Sequence, residues 1–553
     1  MSNPRLRQVV QILAFFGVLF FGVFFLFHIT DRFWSDSEIW GLRQGQYCAH
    51  SWRSFACSWK PIFYFIVGKF TNPDLTQLMS FARGLSGFWW LVSAAILFWN
   101  RIPMTLLVCY FGSSLFLLDS NVARSDFWAL PAVLFVCAFL NKDRLGVKPY
   151  VSILIILSGS LLAILISPKS MVILLCLSPI ILQRLSQRIS KKKKIVVLTT
   201  FLALGVAAVF VSRLFIQWND VAVFFVRQLD ASEYGVSYWD LQRFYYIGRA
   251  WLENPQLPIL FVGWLGMILI SSLEHSRPLT ARHFAAMLLF ASMFLYPDKL
   301  PFWLSCQTLA AVVLIAPDFV SDKVLKAFVI APTILSLFVG ICWSRVLPSL
   351  NNERQKLLVS YLDANDEFRI YDGLGLVSGN ASVPFFLGPD QKDANDRALQ
   401  SIRAANFEVI ALTHRTKIFA HLLGDYLEKN YIESSPDLLI KVFNIEVSEG
   451  TRAEEIKQQF ADLYGLIGST NPLVSVLQFN EDTKKWRLQK DRAEPWSEIQ
   501  KALPLGKASH LRLTPLTKLL LHPPPYSYDS EFRFEPEGRN QWHWPSQLFL
   551  GTH

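Results

Sequence analysis

Apolar runs of about 17 to 21 residues recur along this chain from its N-terminus to about residue 345 and then stop. A run of that length, wound as an α-helix, spans the hydrocarbon of a bilayer. Every backbone polar group there must find its partner within the segment, so a succession of such runs dictates a bundle of spanning helices. The runs fall at 9–29, 78–98, 104–120, 126–140, 150–166, 170–184, 195–213, 257–273, 283–296, 301–316 and 327–344, about eleven spans. The first follows Arg5 and Arg7, is rich in Phe and has no small-residue cleavage site after it, so it reads as a retained span rather than a signal peptide. Composition agrees: with 52% hydrophobic residues, 17% charged and a mean hydropathy of +0.31, the 553 residues are too apolar for a string of soluble domains.

Charge divides the chain at the same place. Residues 1–350 carry 30 Lys and Arg against 16 Asp and Glu, whereas residues 351–553 carry 23 against 27. The basic half is therefore the membrane half, where excess cations report cytoplasmic loops and lipid phosphates rather than a nucleic-acid surface. The short connections 141–149, 184–194, 274–282 and 317–326 all carry Lys or Arg and fall on one side, which the positive-inside rule makes the cytoplasm; Lys191 to Lys194 read as a topology anchor. The N-terminus is then cytoplasmic. The loops 30–77 and 214–256 and a C-terminal domain, 351–553, lie on the outer, periplasmic face. No internal repeat or inverted pair of halves is visible, which weakens a transporter reading.

Ionisable residues at the outer ends of the spans are costly and are functional candidates by default. Five stretches bring them to that face: Asp36 and Glu38 in WSDSEIW with Lys60 in WKPIFYF, Arg83 at the start of the second span, Asp119, Arg124 and Asp126 in DSNVARSD, Lys169 in SPKS, and Asp298 and Lys299 in YPDKLPFW. Arg249 in YYIGRAW joins them from the second outer loop. The plain alternatives are cations that snorkel to head groups, an Asp that caps a helix, and an Arg124–Asp126 pair that serves structure alone. The outer loops are also rich in aromatics, Tyr64 among them, as an interfacial belt would be.

The series WSDSEIWGLRQ, WKPIFYFIVGKF and FARGLSGFWW, followed by VARSDFWAL, SPKS and PDKLPFWLSCQTLAAV, resembles in order and spacing the C-type glycosyltransferases that use polyprenyl-phosphate sugars. That group includes the bacterial aminoarabinose and galacturonic acid transferases of lipid A and the protein O-mannosyltransferases. The chain departs from the pattern in having Asp36-Ser37-Glu38 where the acidic pair is often adjacent, and Ile62 after Lys60-Pro61. The resemblance implies a membrane enzyme that moves a single sugar, with inversion, from an undecaprenyl-type phosphate to a lipid, glycan or protein acceptor. A carboxylate takes the acceptor's proton and cations steady the departing phosphate. Asp36 aligns with the first acidic residue of the motif and is the expected base, with Glu38 the other choice. Lys60, Arg83, Arg124, Lys169, Arg249 and Lys299 are the expected phosphate ligands, supported by Asp126, Tyr64 and Asp298. No metal or other cofactor is expected, because His50 and the acidic residues have no ligand spacing. A flippase or transporter of lipid-linked glycans, or a ligase or polymerase of them, is the alternative. The resemblance places the enzyme, as a monomer, in a bacterial inner membrane.

Cys48 and Cys57, with eight residues between them in the first outer loop, fit a disulfide in an oxidising periplasm; the other five cysteines lie in spans. In residues 351–553, FRIYDGLG, FEVIALT and LIKVFNI read as strands alternating with the helices DRALQSIRAAN and RTKIFAHLLGDYLEKN, a small α/β domain. The glycines at 373, 375 and 379 precede no helix and so do not make a dinucleotide loop.

Overall fold

A computed structural model of the chain describes residues 36–50, 60–70, 74–100, 102–103, 105–107, 123–141, 149–188, 255–275, 279–295, 304–321, 323–336, 338, 353–373, 375–376, 392–412, 414–435, 438–447, 455, 473–480, 482, 485–488, 492–502 and 509–522. The expected spans 9–29 and 195–213, most of 104–120 and most of the loop 214–256 lie outside these residues. The chain divides into two units, residues 1–352 with 542–553, and residues 353–541.

The first unit is helical. Its elements are α1 (Asp36–His50), α2 (Pro61–Gly68), α3 (Leu75–Trp99), α4 (Ser125–Trp128), α5 (Leu130–Asn141), α6 (Pro149–Ile166), α7 (Ser170–Cys176), α8 (Ser178–Arg188), α9 (Gln256–His275), α10 (Ala281–Leu295), α11 (Leu304–Ser321) and α12 (Lys323–Phe328). Helix α3 has 25 residues, starts where the Asp74 carboxylate accepts from the Thr76 amide at 2.8 Å, and ends where the Asn100 side chain donates to the Ile96 carbonyl. Among the described residues it is the one helix long and apolar enough to cross a membrane; α4 with α5, α6, α9, α10 and α11 contribute shorter apolar stretches. The segment 30–77, expected as an outer loop, holds α1 and α2, and the span expected at 170–184 is broken at Leu177 into α7 and α8.

Helix α11 is buried on every side from Leu309 to Ala316, between α10 and α5. A helix apolar all round belongs at the centre of a bundle. Among the described residues, large apolar side chains that face outward, such as Leu161, Leu175, Val262, Leu273 and Ile334, belong to this unit with three exceptions, Leu357, Leu473 and Leu521. Soluble surfaces do not gather so many. At one end of α11, Asp318 fastens three helices: the Trp264 indole of α9 donates to it at 2.9 Å, Arg282 of α10 pairs with it, and His283 approaches to 3.5 Å. The other ring nitrogen of His283 accepts from the Thr280 amide at 3.1 Å and closes the first turn of α10.

The second unit carries α13 (Glu353–Asp363), β1 (Ile370–Tyr371), α14 (Lys392–Ala405), β2 (Val409–Ala411), α15 (His414–Asn430), β3 (Tyr431–Ser435), β4 (Leu438–Lys441), β5 (Phe443–Val447), β6 (Leu473–Asn480), β7 (Lys485–Leu488), β8 (Glu494–Pro495), α16 (Trp496–Ala502), β9 (Ser509–Thr514) and α17 (Thr517–Leu521). One sheet runs β1-β2-β4-β3, with β1 parallel to β2 and β4 antiparallel to both its neighbours. Its core joins Tyr371, Ile402, Phe407, Ile410, Leu423 and Tyr431. The second sheet runs β5-β9-β6-β7 and is antiparallel, with β8 also on β6. LIKVFNI, expected as one strand, is two strands in two sheets, divided at Val442, whose amide donates to the Asn430 carbonyl.

Candidate functional site

Pro61 occupies the first position of α2, where its fixed φ suits a helix start and its missing N–H is no loss, and this makes Lys60 the N-cap. Arg124, in extended conformation, is likewise the N-cap of α4, and Lys169 that of α7. Three helices from distant parts of the sequence thus each begin with a cation.

The three cations meet at Asp126, in the first turn of α4 and 2% exposed. Arg124 lies 3.4 Å from one carboxylate oxygen and Lys169 3.5 Å from the same oxygen, while the Ser167 hydroxyl donates to the other at 2.5 Å. Lys60 and the Tyr64 phenol stand within electrostatic reach of Asp126. Burial, and then the Asp126 charge, push the Tyr64 phenol well above its ordinary range, so it keeps its proton and remains a donor. The Cys306 thiol of α11 donates to the Asp126 carbonyl at 3.3 Å.

Glu38 and Arg83 form a second layer. Both are wholly buried and face one another in a two-pronged contact, 3.0 and 2.9 Å, and Glu38 also accepts from the Ala123 amide at 2.9 Å. Arg83, expected at a phosphate, instead closes on the carboxylate that α1 brings, because each charge would otherwise be stranded in an apolar interior. The pair pins α1 and the turn before Arg124 to α3. A further tie runs from the Trp128 indole to the Ser86 hydroxyl at 2.7 Å, with the Phe63 ring of α2 at 4.7 Å from that of Trp128.

Helices α1 and α2 set the position of Lys60 by close approach. A Cβ on Gly45 would meet Val67 at 2.5 Å, and one on Gly68 would meet the Gly45 carbonyl at 2.9 Å. Only glycine lets these two backbones come so near. Cys48, near the end of α1 and fully buried, is disulfide-bonded. Its expected partner, Cys57, lies outside the described residues, as do Arg249, Asp298 and Lys299. Asp36 opens α1, two residues before Glu38, and its side chain too lies outside the described residues.

Glu38, Lys60, Tyr64, Arg83, Arg124, Asp126 and Lys169 therefore converge on one turn. Ser167, Ser86 and Trp128 escaped the sequence reading; an ordinary Ser or Trp in an apolar run carries no signal that a charge in the same place would carry. Among the described residues no three His, Cys, Asp or Glu side chains gather to hold a metal ion. The arrangement gathers Arg124, Lys169 and Lys60 around one buried carboxylate with a phenol beside it, and the excess of cations over that carboxylate suits it to receive an anion. No protein-family model, no curated protein and no solved structure matches this chain.

Proposed function

We propose that the chain is an integral membrane glycosyltransferase of about eleven spans that moves one sugar from a polyprenyl phosphate to a lipid, glycan or protein acceptor at the periplasmic face. The observation that carries this reading is the convergence of Lys60, Arg124 and Lys169 on buried Asp126, beside the helix that opens with Asp36. In the reaction, an acceptor hydroxyl attacks the anomeric carbon, its proton passes to the Asp36 carboxylate, and the bond from that carbon to the phosphate oxygen breaks with inversion. The charge left on the phosphate is met by the three cations and by the Tyr64 phenol, with Arg249 and Lys299 assigned to the same task. Asp126 holds the cations apart and aimed before the donor arrives. Glu38 and Arg83, engaged in one another, hold the scaffold.

Mass spectrometry of lipid A, surface glycans and polyprenyl-phosphate sugars tests this in cells carrying the wild type or Asp36→Asn. The reading expects one glycan to lose a single sugar while the matching polyprenyl-phosphate sugar accumulates. Glycans and donors unchanged in Asp36→Asn and in Glu38→Gln would remove the transferase assignment.

A further inference from the structure

Two buried ion pairs in the first unit are built differently. Glu38 meets Arg83 through both carboxylate oxygens, at 3.0 and 2.9 Å, the two-pronged contact of a strong charge-assisted pair. Asp126 offers Arg124 and Lys169 one oxygen only, Oδ2, and they stop at 3.4 and 3.5 Å, short of such contact. The Arg83 and Glu38 side chains have no exposed surface, whereas those of Arg124 and Lys169 keep 13% and 19% of theirs. The first pair is closed and the second is held open.

What separates them is Ser167. Its hydroxyl donates to Oδ1 of Asp126 at 2.5 Å and so occupies the oxygen that a two-pronged contact would need. Serines in helices often return the hydroxyl to their own backbone, as Ser86 and Ser93 do to carbonyls one turn back, at 3.1 and 2.8 Å. Ser167, wholly buried and 41 residues from Asp126, reaches across instead. Its own backbone is fixed on both sides: its amide donates to the Ala163 carbonyl at 2.9 Å, and its carbonyl accepts from the Ser170 amide at 3.0 Å. Lys169 rides on that same turn. The Cys306 thiol meanwhile holds the main chain of Asp126 from α11. The freedom left to the carboxylate is rotation about its own side-chain bonds, and the bond from Ser167 opposes it.

We propose that Ser167 is a positioning residue for the phosphate of the lipid-linked donor: by occupying one oxygen of Asp126 it keeps Arg124 and Lys169 from closing on that carboxylate, so that both can pass to an incoming phosphate. The inference rests on the reading that these cations receive a polyprenyl phosphate, and it does not require Asp36 to be the base. Without the hydroxyl the carboxylate turns and takes a cation on each oxygen, and the phosphate must then displace two full ion contacts.

The test uses the full chain purified in detergent. Native mass spectrometry reads the undecaprenyl phosphate it retains, and peptide mass spectrometry of the lipid-free protein reads how fast acetic anhydride acetylates Lys169 relative to exposed Lys518. Ser167→Ala should weaken undecaprenyl phosphate binding about three- to tenfold, the worth of one hydrogen bond. It should also slow acetylation of Lys169 about threefold, since an amine in full contact with a carboxylate is a poorer nucleophile. A merely loosened turn would expose Lys169 and speed that reaction. Against Asp126→Asn alone, where no charge is left to close on the cations, adding Ser167→Ala should change neither quantity. Unchanged binding in Ser167→Ala, faster acetylation of Lys169, or a binding loss that persists beside Asp126→Asn overturns the proposal. A Lys169→Ala protein that retains undecaprenyl phosphate as the wild type does removes the phosphate reading and the proposal with it. The expected Ser167 effects in a chain whose Asp36→Asn and Glu38→Gln variants alter no glycan keep the positioning role and discard the transferase; sugar transfer by a chain in which Ser167→Ala binds as before does the reverse.

Discussion

Helices gain stability from acidic side chains at their starts and basic ones at their ends, yet Lys60, Arg124 and Lys169 each stand at a helix start, against the macrodipole. Buried Asp126 offsets that placement for Arg124 and Lys169, and single substitutions divide according to whether the buried partner left behind keeps another cation. Lys169→Ala should weaken undecaprenyl phosphate binding about tenfold, the loss of one charge-assisted contact, and should cost about 1 kcal/mol of thermal stability, because Arg124 and Ser167 still attend buried Asp126. Arg83→Met should do the opposite kind of damage: with Glu38 left charged and buried, stability should fall by about 3 to 5 kcal/mol, and adding Glu38→Leu should restore much of it. Thermal melts and lipid titrations on the same preparations separate the two cases. The charged members of the cluster were legible in the sequence because charge amid apolar runs is conspicuous. That Arg83 would be taken by Glu38, 45 residues away, was not, since pairing across that distance depends on how α1 lies on α3.

At the level of elements, the apolar helices were legible by the length of their runs, and α1 and α2 were not. Helix α1 is of mixed polarity and α2 has only eight residues, and the two pack through the glycine contact between them, which no periodicity within either segment reveals. Gly45→Val should force them apart, because its side chain would overlap Val67; Lys60 moves with α2, and lipid phosphate binding should fall at least tenfold while α3 to α11 keep their helical circular dichroism. If binding survives unchanged, the packing of α1 on α2 does not position Lys60. In the second unit, β4 and β5 are both extended and apolar, so the break at Val442 leaves no mark in the sequence pattern, although the helices α14 and α15 do. YIESS, the strand β3, was missed for a related reason: it follows α15 with no turn residue between them and is held by pairing with β4.

At the scale of the whole molecule, the proposed membrane reading gives the two units different solvents, and their stability should respond differently to alkali. Tyr371 and Tyr431 in the second unit have phenols pushed above their ordinary value of about 10, chiefly by burial, with Asp372 adding to the first and Tyr426 to the second. A raised folded-state pKa means that the stabilisation is fully present below about pH 10 and is lost as pH rises beyond it. Calorimetry of the full chain in detergent should therefore show the transition of residues 353–541 falling in temperature above about pH 10. In Tyr371→Phe with Tyr431→Phe it should fall less steeply, from a neutral-pH value lowered by about 1 kcal/mol through the lost bond to the Phe407 carbonyl. An identical alkaline slope in both proteins would exclude these phenols as the cause. The outward apolar side chains of the first unit carry the matching expectation that it stays with the bilayer after alkaline carbonate extraction. Under the proposed topology, the disulfide at Cys48 is a covalent record of which way the chain went in: one threaded in the opposite sense would deliver α1 to a reducing compartment and leave a thiol there. The fraction of Cys48 that reacts with a thiol reagent after denaturation thus counts misinserted molecules, without any assay of what the correctly inserted ones do.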